Sequence, residues 1–247
     1  MSPVSSSDVV SAADPALLER GGLRAVRAVV FDLDGTLIDS RRDIADAANA
    51  ALAEHALPTH STDTIAGFIG DGARQLLVRA SGNQLDEQLL PKLYAAFQRE
   101  YLSRAVVHTT MYPGAADVLQ RLSARRGSGG PRVALCTNKP RQLTERILAL
   151  LSIEHHFEVV VAADDVPRAK PHPDGLLSIA RAFALEPHEL VMVGDGPQDI
   201  ECGHRAGALT VGVSFGIASV DQMRACHPHF EVESFGQLLS LLNSPSR

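Results

Sequence analysis

Val26-Arg27-Ala28-Val29-Val30-Phe31-Asp32-Leu33-Asp34-Gly35-Thr36-Leu37 is an apolar run that ends in two carboxylates and a turn. The run Val26–Phe31 reads as a strand buried on both faces. Residues two apart on a strand share a face, so the turn at its end can aim Asp32 and Asp34 at one site. Gly35 lets the backbone turn and approach a ligand closely. Two acids at a strand's mouth are costly to hold without a partner, and a hard divalent cation is the natural one.

Four further runs have the same character: Val133–Cys136, Val159–Ala162, Leu190–Val193 and Thr210–Val213. Each is valine-rich, bounded by Gly, Asp, Asn or Pro, and followed by a helix-like stretch. The alternation predicts an α/β fold, a Rossmann-like parallel sheet covered by helices. Ligands of such sheets bind at the carboxyl ends of the strands. Between the first two runs, residues 42–108 read as helices with no strand, an inserted all-helical domain. Asn49, Ala50, Leu52, Ala53 and Leu57 are taken as one helical face, and Gly72–Ala80 and Gln88–Leu102 as two or three more helices. The turn Met111-Tyr112-Pro113-Gly114 marks the return to the sheet. The division is a polar N-terminal tail at 1–23, a core domain at 24–41 and 109–247, and the helical domain at 42–108. The loop Gly127-Ser128-Gly129-Gly130-Pro131 carries no chemistry.

The chain has 247 residues, 45% of them hydrophobic, and a net charge of −6, enough for a packed core and without a basic run for nucleic acid. No apolar stretch is long enough to span a membrane. The N-terminal residues lack the basic start and apolar centre of a signal peptide. The three cysteines form no C-x-x-C pair and read as reduced thiols, which points to the cytoplasm. Monomer and homodimer are both compatible with the sequence.

Four elements fall at strand ends: Asp32 with Asp34, Thr137-Asn138-Lys139-Pro140, Lys170 within Lys170-Pro171-His172-Pro173, and Gly194-Asp195-Gly196-Pro197-Gln198-Asp199. Asp32, Asp34 and Asp195 can supply oxygen ligands to Mg2+, Asp34 through its side chain or its backbone carbonyl. Thr137 offers a hydroxyl and backbone N–H groups near a helix start, and Lys170 a point charge. That set suits phosphoryl transfer, in which charge spread over the equatorial oxygens must be offset. Asp32 is then the nucleophile and Asp34 the acid and base. Asn138 reads either as a helix N-cap or as a phosphate contact, and Asp199 either as a metal-site residue or as a cap for the next helix. Asp164 and Asp165 read as turn and capping residues, and His172 as shaping a turn. His155 and His156 read as surface residues near a helix end. Gly70-Asp71-Gly72 is either a turn before a helix or a loop facing the site. Arg74 reads either as an exposed arginine with no specific role or as a partner for a substrate carboxylate, and Tyr94, Phe97 and Tyr101 are assigned to the helical domain's core.

These four elements, in this order, resemble the motifs of the haloacid dehalogenase-like hydrolase superfamily, over Val26 to Leu242. The inserted helices resemble that superfamily's type 1 cap. Phe68-Ile69-Gly70-Asp71-Gly72, Tyr112-Pro113-Gly114, Thr137–Pro140 and Lys170–Pro173 resemble the bacterial phosphoglycolate phosphatases within it. The resemblance implies a Mg2+-dependent phosphatase acting on a small phosphate ester, 2-phosphoglycolate first, through an aspartyl-phosphate. It implies Asp32 and Asp34 as catalytic residues, and Thr137, Asn138 and Lys170 on the phosphate. Asp32, Asp34, Asp195 and Asp199 would form the metal site. Rivals are a pyrophosphatase, a phosphatase for sugar phosphates or nucleotides, a phosphomutase, and a regulatory binding protein on the same fold. A dehalogenase fits less well because Asp34 supplies proton handling for ester cleavage. A phosphonate hydrolase would want a Schiff-base lysine in the cap, where Lys92 stands alone in polar surroundings. Gly196 replaces a serine common in relatives, a change expected to tune the site.

Overall fold

Val29 and Phe31 turn to one face of the central strand and Ala28 and Val30 to the other, and all are fully buried. This period of two, apolar on both sides, marks a strand sandwiched between helical layers. The computed structural model describes residues 22–82, 88–127 and 129–243. The sequence's N-terminal tail therefore lies outside the described residues up to Gly21, as does Ser128 of the glycine loop.

Strand β1 (Ala28–Phe31) pairs in parallel with β4 (Arg132–Cys136) and β6 (Leu190–Gly194). With β5 (Val159–Val161), β7 (Leu209–Val213) and β8 (Phe230–Val232) these make a six-stranded parallel sheet, ordered β5-β4-β1-β6-β7-β8. β1 is thus central, flanked by the strands that carry Thr137 and Asp195 just beyond their ends. The fold class is the one the runs predict, with corrections at the edges. β1 starts two residues later than its apolar run, because Val26 closes a turn onto Leu23. β8 was not anticipated: it spans three residues with Glu231 in the middle, on the sheet edge beside Arg224. A two-residue ribbon of β2 (Ile38–Asp39) and β3 (Thr110–Met111) is also new, so Met111 belongs to a strand before the turn.

Between β2 and β3 the described residues form four helices: α1 (Arg41–Glu54), α2 (Thr62–Ala66), α3 (Ala73–Ala80) and α4 (Leu89–Ser103). The buried side of α1 is Ile44, Ala45, Ala47, Ala48, Ala51 and Leu52. The face expected from Asn49, Ala50 and Ala53 is therefore wrong; Ala53 is exposed, and Asn49 holds the backbone of His60. An alanine-rich helix gives little hydrophobic contrast to read. Ser61 caps α2, its hydroxyl accepting from the Thr64 N–H. The two chain segments that lead into and out of the helices are joined by Asp43. Its buried carboxylate accepts the backbone N–H groups of Val107, His108 and Thr109 and the Thr109 hydroxyl, at 2.6–3.1 Å.

The remaining helices cover the sheet: α5 (Ala115–Ala124), α6 (Arg141–Leu150), α7 (Asp174–Phe183), α8 (Pro197–Ala206), α9 (Val220–Ala225) and α10 (Phe235–Asn243). Leu119, Leu143, Ile147 and Phe235 pack on the Val29–Phe31 face, and Leu176, Ile179 and Cys202 on the Ala28–Val30 face.

Candidate active site

Asp32 follows β1 directly, and its N–H still bonds to the Val193 carbonyl of β6, so the sheet itself fixes where it stands. The chain then turns at Gly35, whose φ of +88° and tight surroundings suit glycine alone. A Cβ there would lie 2.2 Å from Asp195 Oδ2. Asp195 leaves β6 on the adjacent strand, and its Oδ2 accepts the N–H groups of Ile217 (2.7 Å) and Ala218 (2.8 Å). This loop after β7 escaped the sequence reading, since an apolar Ile-Ala pair gives no hint of backbone donors. Asp199, in the first turn of α8, uses Oδ2 to cap that helix through the Gly196 N–H and Oδ1 to meet Lys170. The cap reading thus holds for one oxygen, while the other belongs to the acidic cluster. Carboxylate oxygens of Asp32, Asp195 and Asp199 lie within 4.8 Å of one another.

Lys170 lies among them, with Nζ 2.7 Å from Asp32 Oδ1, Asp199 Oδ1 and the Cys136 carbonyl. All three ammonium donors are used. Burial alone would lower its pKa, but Asp199 and Asp32 together hold it well above the ordinary lysine value. A second lysine, Lys139, was quoted in the sequence without a role. It is buried, 3.1 Å from Asp34 Oδ2 and 2.8 Å from the Tyr101 hydroxyl of α4. Ser40 donates to Asp34 Oδ1 at 2.5 Å. Sequence offers little warning of such a lysine, because lysines mostly face water.

The charges do not balance. Asp32, Asp34, Asp195 and Asp199 face Lys139 and Lys170 in one cavity, four carboxyl groups against two ammonium groups. Burial, with Asp199 and Asp195 nearby, pushes the Asp32 carboxyl up to about 8 despite Lys170. Burial and Asp199 push Asp195 up to about 7 despite its two backbone donors. A divalent cation would match that deficit of two charges, and the donor set of clustered carboxylate oxygens is the hard one such a cation prefers.

Thr137 is buried beside them, but its N–H is bonded to the Val161 carbonyl, and its hydroxyl oxygen accepts from the Lys139 N–H. The backbone donor expected of Thr137 is therefore spent; its hydroxyl proton is its contribution. Asn138 is not the N-cap of the helix that follows it. Its amide nitrogen donates to the carbonyls of Gly70 (2.9 Å) and Lys170 (2.8 Å), while Pro140 holds the N-cap position of α6. It ties the Gly70 loop and the Lys170 segment together, partners that are 68 and 32 residues away and invisible in a local pattern.

The Gly70-Asp71-Gly72 loop does face the site. Asp71 accepts from Gln198 of α8 at 2.8 Å and pairs with Arg79. Gly196 is consistent with this contact, because a Cβ there would sit 2.5 Å from the Gln198 side-chain oxygen. Arg74 stacks over Tyr94 at 4.4 Å and is absent from the cavity wall. Tyr101 and Phe97 are core residues as expected, yet both also line the cavity. Asp164 and Asp165 do cap and turn: Asp164 accepts the Arg141 N–H and Asp165 that of Ala162. His172 pairs with Asp174, and His156 with Ser123, both outside the cavity wall.

The cavity encloses about 60 Å³. Its floor is polar and its roof, from Ile44, Ile69, Leu76, Phe97 and Leu143, is apolar. Once a divalent cation offsets the excess of acid, it would suit a ligand with one strongly anionic end and few other atoms.

The haloacid dehalogenase-like hydrolase family model matches residues 29–213. The chain is 33% identical over 219 residues to a phosphoglycolate phosphatase of Haemophilus influenzae, covering 86% of this chain and 96% of the relative. It is 33% identical over 226 residues to the phosphoglycolate phosphatase of Chromobacterium violaceum, covering 90% and 99%. The crystal structure of a "predicted phosphoglycolate phosphatase" from Haemophilus somnus 129PT superposes with a TM-score of 0.80 at 29% identity, over 88% of this chain and 98% of that one.

Proposed function

The chain belongs to the haloacid dehalogenase-like hydrolases, and from that premise we propose that it is a phosphatase that hydrolyses 2-phosphoglycolate through an aspartyl-phosphate on Asp32. The observation that carries this reading is the shared cavity of Asp32, Asp34, Thr137, Lys170, Asp195 and Asp199. The names of the relatives and the small cavity support the choice of substrate.

Asp32, Asp195 and Asp199 would hold Mg2+, with Asp34 completing the set. When bound, the ion offsets the charge between a carboxylate and a phosphate that must meet. Lys170 fixes Asp32 by one oxygen, which leaves the other to attack phosphorus. The bond from phosphorus to the ester oxygen breaks, and Asp34 donates a proton to that oxygen. Asp34 then takes a proton from the water that attacks the aspartyl-phosphate, releasing inorganic phosphate and restoring Asp32. Lys170 and the Thr137 hydroxyl face the charge that develops on the phosphoryl oxygens.

Residues 42–108 would act as a cap domain on the core of 24–41 and 109–247. Among the described residues no helix is long and apolar enough to cross a membrane, and we place the enzyme in the cytoplasm. The test is phosphate release with Mg2+ from a panel of 2-phosphoglycolate, pyrophosphate, sugar phosphates and nucleotides. The expected result is highest kcat/KM on 2-phosphoglycolate, abolished by a chelator and by Asp32→Asn. Release of phosphate from no compound, or substantial turnover by D32N, refutes the proposal.

A further inference from the structure

Two buried ammonium groups line the cavity, and their surroundings differ. Lys170 has three acceptors at 2.7 Å, one for each N–H. Lys139 is equally buried, with a side chain 4% exposed. Among the described residues it has Asp34 Oδ2 at 3.1 Å and the Tyr101 hydroxyl at 2.8 Å, and no third acceptor. One donor of a desolvated cation is thus left on the cavity wall. The two lysines are the only cations among the described residues that line the cavity. A group on the substrate that needs a positive partner away from the phosphate has Lys139 and no other.

The position of Lys139 says where that group must be. Asp34 exchanges a proton with the ester oxygen, so that oxygen lies against Asp34. Lys139 is in contact with the same carboxylate, on the side of Tyr101 and the apolar roof. Whatever is attached to the ester oxygen through one carbon therefore arrives at Lys139. Leu76, Phe97 and Leu143 line the same cavity, and apolar walls strengthen a charge contact. Tyr101 holds the ammonium from the other side, its ring centroid 4.3 Å from Nζ.

We propose that Lys139, oriented by Tyr101, binds the carboxylate of the substrate, and that this selects phosphate esters of small 2-hydroxy acids over neutral esters of the same size. This rests on the phosphatase reading above. It adds a binding residue for the substrate's carboxylate that the acidic cluster alone does not specify.

The experiment compares 2-phosphoglycolate with 2-hydroxyethyl phosphate, which replaces the carboxylate by a hydroxymethyl group. The quantity read is the ratio of their kcat/KM values, which cancels any loss shared by both substrates. The intact protein should favour 2-phosphoglycolate. Lys139→Met should cut that preference by about 10- to 100-fold, the worth of one hydrogen bond to a charged group, mostly through KM on 2-phosphoglycolate. Tyr101→Phe keeps the ring and removes the hydroxyl, and should cut the preference in the same direction by less. If both variants lose the two activities equally, Lys139 only positions Asp34 and the proposal is overturned while the substrate reading stands. If the intact protein has no preference, the substrate reading fails and the Lys139 proposal falls with it. Should K139M not fold, the Y101F ratio decides, an unchanged value overturning the proposal.

Discussion

Replacing Lys170 by Met should destabilise the metal-free protein steeply at high pH and mildly at low pH. Lys170 Nζ touches two carboxylates and a carbonyl, each at 2.7 Å, with its side chain 4% exposed. Methionine fills similar volume without charge, so the loss is electrostatic. Removing one partner of a buried ion pair costs about 3–5 kcal/mol. In a chain of this size that lowers Tm by roughly 6–20 °C. The pH dependence follows from Asp32. Burial has already raised its pKa to about 8, and Lys170 is what restrains it. Without Lys170 the value climbs further. Between the unfolded value near 3.8 and the folded one, the folded state binds more protons than the unfolded state. Stability therefore falls as pH rises, by up to about 1.4 kcal/mol per pH unit for each such group. At pH 5 Asp32 holds its proton, and its share of the penalty disappears. The assay is urea or thermal unfolding of chelator-treated wild type and K170M at pH 5 and pH 8. A loss of the same size at both pH values, or below about 1 kcal/mol at pH 8 against the 3–5 expected, refutes the electrostatic account of this cluster.

Asp34→Asn should lower kcat/KM, which reports the steps up to aspartyl-phosphate formation, by about 10²–10⁴ on 2-phosphoglycolate and far less on p-nitrophenyl phosphate, whose leaving group departs without a proton; equal losses of kcat/KM on the two esters would remove Asp34 from the proton-donor role. Mg2+ should raise Tm more at pH 8 than at pH 5. In the metal-free protein the raised pKa values of Asp32 and Asp195 make stability decline as pH rises from their unfolded value near 3.8 to their folded values of about 8 and 7, and the ion offsets that decline. Differential scanning fluorimetry with and without the ion checks it, and a shift independent of pH would count against these carboxylates as its ligands.

The sheet was readable because its central strands are buried on both faces, and continuous valine-rich runs such as Leu190–Val193 have no other simple explanation. β8 was not, since Phe230-Glu231-Val232 at the edge needs only alternate residues buried. The acids of the cluster were readable because Asp32, Asp34 and Asp195 closely follow strands and belong to a set of four elements met in one chain order. What sequence could not supply was their partners. Asn138 looks like a cap beside Pro140 and turns out to bridge two distant loops. Lys139 looks like a solvated lysine and is buried under Tyr101. Asp43 looks like any acid in a helix's first turn, yet it accepts three backbone N–H groups from 64 to 66 residues away. Each of these depends on which parts of the chain meet, a property that local periodicity does not encode.

Asp43 has a mechanical corollary. Because it bolts the outgoing chain at Arg41 to the incoming chain at Val107–Thr109, the four helices hang from a single stem rather than from two independent threads. A body suspended that way is otherwise held by the contacts it makes across the cavity. These are Gln198 on Asp71, Asn138 on the Gly70 carbonyl and Lys139 on the Tyr101 hydroxyl. Two such bonds and one from a charged donor are worth about 2.5–6 kcal/mol together, a cost that any opening of the cavity has to meet.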